Sequence, residues 1–156
     1  MNVTSATTRI RELFGLDLKI FNEHLAAAPI GAEGITVLPF FNGERVPAQP
    51  HALASFLGLA SVNTTQANLC RVVVESATFG LHYGLELLGD IAKDASQIRL
   101  MGGGAKSPVW RQMVADITGI PVICPKIPDA AALGARCRRP GASAIKTPLL
   151  KTSAVD

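Results

Sequence analysis

Charge of either sign is thin in this sequence: Asp, Glu, Lys and Arg make up 17% of it, with a net charge of +3. The basic residues are scattered until Arg136, Arg138 and Arg139, so no stripe suited to a nucleic-acid backbone is present. That late cluster reads as a solvated face or an irregular tail. Cysteine is equally sparse. Cys70, Cys124 and Cys137 are far apart and odd in number, without metal-ligand spacing, which excludes both a zinc site and a disulfide framework. They read as reduced thiols of a cytoplasmic protein, with Cys70 and Cys124 in apolar surroundings as core. No apolar run approaches the length needed to cross a bilayer. The N-terminus has no cationic stretch followed by an apolar block, so no signal peptide and no membrane partner are expected. Internal repeats and an obvious second domain boundary are also lacking. What remains is 48% hydrophobic over 156 residues. A chain of that size buries about two-thirds of its unfolded surface as one domain.

Residues 4–14 read as a helix ended by Gly15. A second helix is expected over Leu18–Ala28, capped by Asp17 and closed by Pro29, with Leu18, Phe21, Leu25 and Ala28 as its apolar face. Ile35 to Phe41 is β-branched and aromatic and predicts a strand that Pro39 ends or places at an edge. The polar loop Asn42–Pro47 follows it, and its adjacent Glu44 and Arg45 either fix the loop or form the wall of a site. Ala54 to Leu59 is a second short strand. Asn63, Thr64 and Thr65 offer caps for the longest helix, expected from Gln66 to Lys93, in which Leu69, Val72, Val73, Ser76, Phe79, Tyr83, Leu87 and Ile91 repeat as one face. Ala77, Gly80 and Gly84 are small enough there for close packing. Glu75 lies in mid-helix and is open to burial, although an exposed carboxylate is the default expectation.

The chemistry concentrates further on. Gln97–Met101 reads as a strand leading to Gly102, Gly103 and Gly104, and a helix then opens with Ser107 as N-cap and Pro108 in its first turn. Trp110, Met113, Val114 and Ile117 recur at helical spacing, and Gly119 with Pro121 stops the element. Pro121–Cys124 is a further strand, so the order β-α-β implies a parallel pair. A side-chain-free turn between a strand and a helix N-terminus lets a flat or anionic ligand reach bare backbone. The same residues are equally consistent with a tight turn and nothing more. Two named motifs are excluded: a dinucleotide fingerprint requires glycine where Ser107 stands, and a phosphate-binding loop requires it at Leu100 and Ala105. Asp129 caps a last helix, Ala130–Ala135, also beyond a strand end, where open α/β sheets take their ligands. Arg136–Pro140 breaks that helix, and residues 140–156 show no period.

Four of these blocks, in order, resemble the C-terminal domain of the FGGY carbohydrate kinases, and among them the xylulokinases. Leu38-Pro-Phe-Phe-Asn-Gly-Glu-Arg-Val-Pro47 is similar to the family's Leu-Pro-Tyr-x-x-Gly-Glu-Arg-Thr-Pro block. Leu69–Leu88 resembles the long helix that precedes the glycine turn, Ile98–Gln112 the turn itself, and Pro128–Ala135 the start of the closing helix. The resemblance covers residues 1–135 and leaves 136–156 as a divergent, loosely ordered tail. It implies an α/β fold, an incomplete C-terminal lobe of the actin-like ATPase (ribonuclease H-like) type. It also implies ATP with Mg²⁺ as cofactors and phosphoryl transfer to a pentulose such as xylulose. Carried over residue by residue, the adenosine portion would lie against Gly102, Gly103, Gly104 and Ala105, with Ser107 beside them and Asp129 near the base or ribose. Lys106 either reaches a phosphate or is a solvated lysine, the second being the default expectation.

The family's N-terminal lobe, its catalytic aspartate and its phosphate loop have no counterpart in the sequence. The expectation is therefore a nucleotide-binding lobe inactive by itself, completed by a missing N-terminal kinase lobe or prone to self-association. The alternative is a non-catalytic remnant that binds adenine nucleotide or a partner. A shifted reading frame or truncated gene would account for the abrupt change at Arg136.

Overall fold

Two short helices begin the chain because their sequences carry both an apolar stripe and the residues that end a helix. The computed structural model describes residues 3–125. Helix α1 (Val3–Leu13) buries the adjacent Ala6 and Thr7 and, one turn on, Ile10. It stops at Gly15, whose φ of +62° accompanies two closing bonds, Gly15 N–H to the Glu12 carbonyl and Leu16 N–H to that of Arg11. That pairing satisfies carbonyls the helix itself leaves open. Helix α2 (Leu18–Ala27) is capped by Asp17, whose carboxylate accepts the Ile20 amide at 2.8 Å. Phe21, Leu25 and Ala28 are buried as expected, but Leu18 is exposed, because packing begins only with the second turn.

The described chain divides after Lys93 into two compact units. In the first, α1, α2 and strand β1 (Thr36–Leu38) all touch helix α3 (Gln66–Glu86). Thr65 caps α3 by accepting the Asn68 amide at 3.1 Å. Cys70, Val72, Val73, Val74, Ala77 and Thr78 form its buried part. The helix expected to reach Lys93 stops at Glu86. Leu88 and Gly89 donate to carbonyls only three residues back, Gly89 turns at φ +55°, and a separate short helix, α4 (Asp90–Lys93), follows. The predicted packing face is corrected likewise: Phe79, Tyr83 and Leu87 are exposed, because the burial of α3 ends at Thr78.

β1 pairs antiparallel with β2 (Ser55–Leu57), Val37 opposite Phe56. The pairing needs glycine at position 58, where a Cβ would lie 2.6 Å from the Gly34 carbonyl oxygen. The approach to β1 is unusual. Gly31, Ala32, Glu33 and Gly34 all have positive φ, a region costly for residues with a side chain. Two buried asparagines on the α3 side over-determine that turn. The Asn63 side-chain amide donates to the Glu33 and Gly58 carbonyls, and that of Asn68 donates to the Glu33 carboxylate at 2.8 Å.

Glu75 overturns the expectation of exposure. It is 7% exposed, accepts from Arg71 at 2.7 Å and also takes the Gly31 amide at 3.1 Å. Arg71 donates in addition to the carbonyls of Leu25 and Ala28, both at 3.0 Å. The pair thus serves the open carbonyl end of α2, and a carboxylate one turn after an arginine is buried because both charges are satisfied.

The second unit holds strands β3 (Ile98–Arg99) and β4 (Val122–Ile123) with helix α5 (Pro108–Thr118) between them. The strands are parallel, Ile98 opposite Val122 and Arg99 opposite Ile123, as the β-α-β order requires. Asp129, the helix expected from it and residues 136–156 lie outside the described residues. No helix among the described residues is long and apolar enough to cross a membrane.

Candidate functional site

The three glycines stand where β3 runs out. Leu100 still donates to the Ile123 carbonyl at 3.0 Å, so the strand is held up to the edge of the turn. Gly102 then takes φ +92°, and a single 3₁₀ turn over Gly104–Lys106 carries the chain to the cap of α5. Gly102 and Gly103 are exposed. Among the described residues the amides of Gly102, Gly103 and Gly104 donate to no protein acceptor. Three successive N–H groups are thus left without a protein acceptor at the carboxyl end of a parallel strand, ahead of a helix N-terminus, although Gly104 itself is half-buried. Backbone of this kind can hold an anionic or flat ligand.

The glycines serve different ends. A Cβ added at Gly103 would meet nothing within 4 Å, and φ there is −61°, so that position is open to any approaching group. At Gly104 a Cβ would come within 3.1 Å of the Trp110 ring. Gly104 is therefore small for an internal reason: the indole lies over it. Ala105 is buried and its carbonyl accepts from the Cys124 thiol at 3.9 Å, which ties the turn to the end of β4. Cys124 is half-buried there, not core.

Ser107 is 6% exposed and its hydroxyl accepts the Trp110 amide at 3.3 Å, so it acts as the N-cap of α5. At the other end Gly119, at φ +68°, returns its amide to the Ala115 carbonyl at 2.8 Å. Gly102, Gly103, Gly104, Ala105 and Ser107 are thus brought into one turn. Lys106 beside them is exposed. Trp110 and Cys124 are the neighbours that sequence reasoning missed. Six positions separate Gly104 from Trp110, and that spacing is the one signal that pairs a small residue with a ring across a helix start.

In the first unit Glu44 fixes its loop. Its carboxylate accepts the amides of Arg45 at 2.6 Å and Val46 at 3.5 Å, and its backbone pairs twice with Gln49 at 2.8 Å. Among the described residues no group of three or more His, Cys, Asp or Glu could hold a metal ion.

Residues 7–137 match the sequence profile of the FGGY family of carbohydrate kinases, C-terminal domain. The chain is 54% identical over 134 residues to a xylulose kinase of Haemophilus influenzae, a match that takes in 86% of this chain and 27% of that protein. It superposes on the crystal structure of a xylulose kinase from Bifidobacterium adolescentis with a TM-score of 0.74 at 36% identity, over 85% of this chain and 26% of that one. Ligand-bound xylulose kinase from Lactobacillus acidophilus gives 0.75 at 27% identity, over 86% and 29%. The chain therefore spans little more than a quarter of the length of these relatives. The fold is the actin-like ATPase fold of these sugar kinases. Profile, identity and superposition agree that the chain belongs to the FGGY family of carbohydrate kinases and represents its C-terminal domain.

Proposed function

We propose that this chain supplies the nucleotide-binding wall of a sugar kinase that transfers phosphate from ATP to a pentulose of the xylulose kind, and that it is inactive alone. The observation that carries the reading is the row of amides at Gly102, Gly103 and Gly104 that donate to no acceptor among the described residues. They stand at the carboxyl end of β3, where a parallel sheet takes its ligands. The open space at Gly103 fits the close approach of a nucleotide, and the exposed Lys106 adds a positive charge beside it. Ala105 and Ser107 support the turn from beneath by their burial and capping. ATP supplies the phosphoryl group that moves, and Mg²⁺ enters on its phosphates. This chain's own residues bind and orient the nucleotide. No side chain at the turn is placed to take the proton from a sugar hydroxyl, and without such a base transfer is slow.

Thermal-shift titration with Mg·ADP tests the site. The wild-type chain is expected to gain several degrees at saturating ligand, as any ligand bound to the folded state alone must give. Gly103→Val is the informative variant, because a Cβ there meets nothing within 4 Å among the described residues, so the added bulk is directed at a ligand. Gly104→Val is less so, since it also strikes Trp110. The response is expected to vanish in Gly103→Val; an undiminished response would remove the glycine turn from the site.

A further inference from the structure

Trp110 is the chain's one tryptophan, and its ring explains a glycine that the backbone does not. Gly102 needs its φ of +92°, but Gly104 has no positive φ, so its backbone is one that residues with a side chain adopt without strain. What forbids a side chain at Gly104 is the indole. A Cβ there would stand 3.1, 3.2 and 3.4 Å from Cε3, Cζ3 and Cδ2 of Trp110. The ring reaches that point because Trp110 is the third residue of α5, and helical side chains lean toward the N-terminus, over the turn before their own. Its backbone is fixed as well, since the Trp110 amide donates to the Ser107 hydroxyl at 3.3 Å.

A run of glycines has more backbone freedom to lose than other residues, and a ligand that orders it must offset that loss. Here part of the freedom is removed beforehand. Lys106 N–H donates to the Gly103 carbonyl and Ser107 N–H to that of Gly104, both at 3.1 Å, which fixes the two carbonyls in the 3₁₀ turn. The peptide joining Gly103 to Gly104 is planar, so the engaged Gly103 carbonyl also sets the direction of the Gly104 amide. The indole occupies the side of Gly104 from which a side chain would project, and so blocks rearrangement of the turn toward α5. Ala105, buried and accepting from the Cys124 thiol, closes the other end. The turn is thereby held in one arrangement before a ligand arrives, the condition under which binding loses least to ordering.

We propose that Trp110 is a positioning residue for nucleotide binding: packed on Gly104, it holds the glycine turn in the conformation that presents its amides to the nucleotide. The proposal rests on the nucleotide-binding reading above and adds how the turn is held. Trp110→Leu and Trp110→Phe would be made in the 156-residue chain, with the Mg·ADP dissociation constant measured by calorimetry and stability by urea titration. Phenylalanine keeps a six-membered ring over Gly104 and leucine does not. Trp110→Leu is therefore expected to weaken binding about tenfold, and Trp110→Phe by less than about twofold. A lower urea midpoint in Trp110→Leu with an unchanged dissociation constant would show that the ring only packs, and would overturn the proposal. So would equal losses of affinity in both variants, since the indole would then act on the ligand directly. If Trp110→Leu does not fold, Gly104→Ala decides: its methyl lies against the ring and obliges it to shift, so affinity is expected to fall, and undiminished affinity overturns the proposal. A wild-type chain that binds no Mg·ADP would sink the nucleotide reading and this proposal with it. Binding that is lost in Gly103→Val and kept in Trp110→Leu would sink this proposal alone.

Discussion

Glu75 and Cys70 sit one and a half turns apart on α3, and each is governed by what surrounds it. The Glu75 carboxylate is held by Arg71 and by the Gly31 amide, so removing it strands a guanidinium that is itself 11% exposed. Breaking one half of a buried pair costs about 3–5 kcal/mol. Glu75→Ala is therefore expected to lower the unfolding free energy by that order in urea titration, and Glu75→Gln, which keeps an acceptor, by less. Cys70 is fully buried, and burial pushes its thiol from an ordinary value of 9.0 up to about 11. Below pH 9 both folded and unfolded chains carry the neutral thiol, and the native state keeps its full advantage. Between pH 9 and 11 only the unfolded chain releases the proton, so stability falls as pH rises through that window. Two pKa units correspond to roughly 3 kcal/mol. A Cys70→Val chain followed by urea melts across the same window is expected to lose less stability than the wild type. The burial of Cys70 was legible from its apolar neighbours, whereas that of Glu75 was not: the carboxylate acquires its character from Arg71 and from the turn at Gly31, which is distant along the chain.

Elements were more legible than residues where a local rule fixes them. The bounds of α5 follow from Ser107, Pro108 and Gly119, since capping needs only a few adjacent residues, and the structure places all three as expected. Ser107→Ala is expected to cost about 1 kcal/mol, the usual worth of an N-cap, read as a lower urea midpoint with helix content retained by circular dichroism. α3 shows where local rules run out. Its apolar period continues past Thr78, but the partners that bury it do not, so Phe79, Tyr83 and Leu87 keep the pattern of a packed face while standing in solvent. Its end at Glu86 was equally hidden, because Leu87 and Leu88 are good helix formers and only Gly89 departs from helical geometry. At the candidate site the glycine turn was visible from its three glycines, whereas the contact of Trp110 with Gly104 depends on how α5 leaves the turn.

For the whole molecule, membership of a kinase family and completeness as a kinase are different matters. A chain that spans about a quarter of its relatives is expected to show no detectable phosphorylation of D-xylulose by ATP, measured as ADP release in a coupled assay. Turnover by the purified chain would mean that its own residues supply the proton acceptor. The sequence by itself determined the family, the α/β class, the N-caps of α2 and α5 and the position of the glycine turn. Each rests on short-range spacing or on ordered blocks that a linear pattern carries. Only the tertiary structure decided that Glu75 is buried, that Gly104 lies beneath Trp110 while Gly103 stands open, and that Phe79, Tyr83 and Leu87 of α3 are exposed. Burial depends on which surfaces meet, and surfaces meet through contacts between segments that the order of residues does not place side by side.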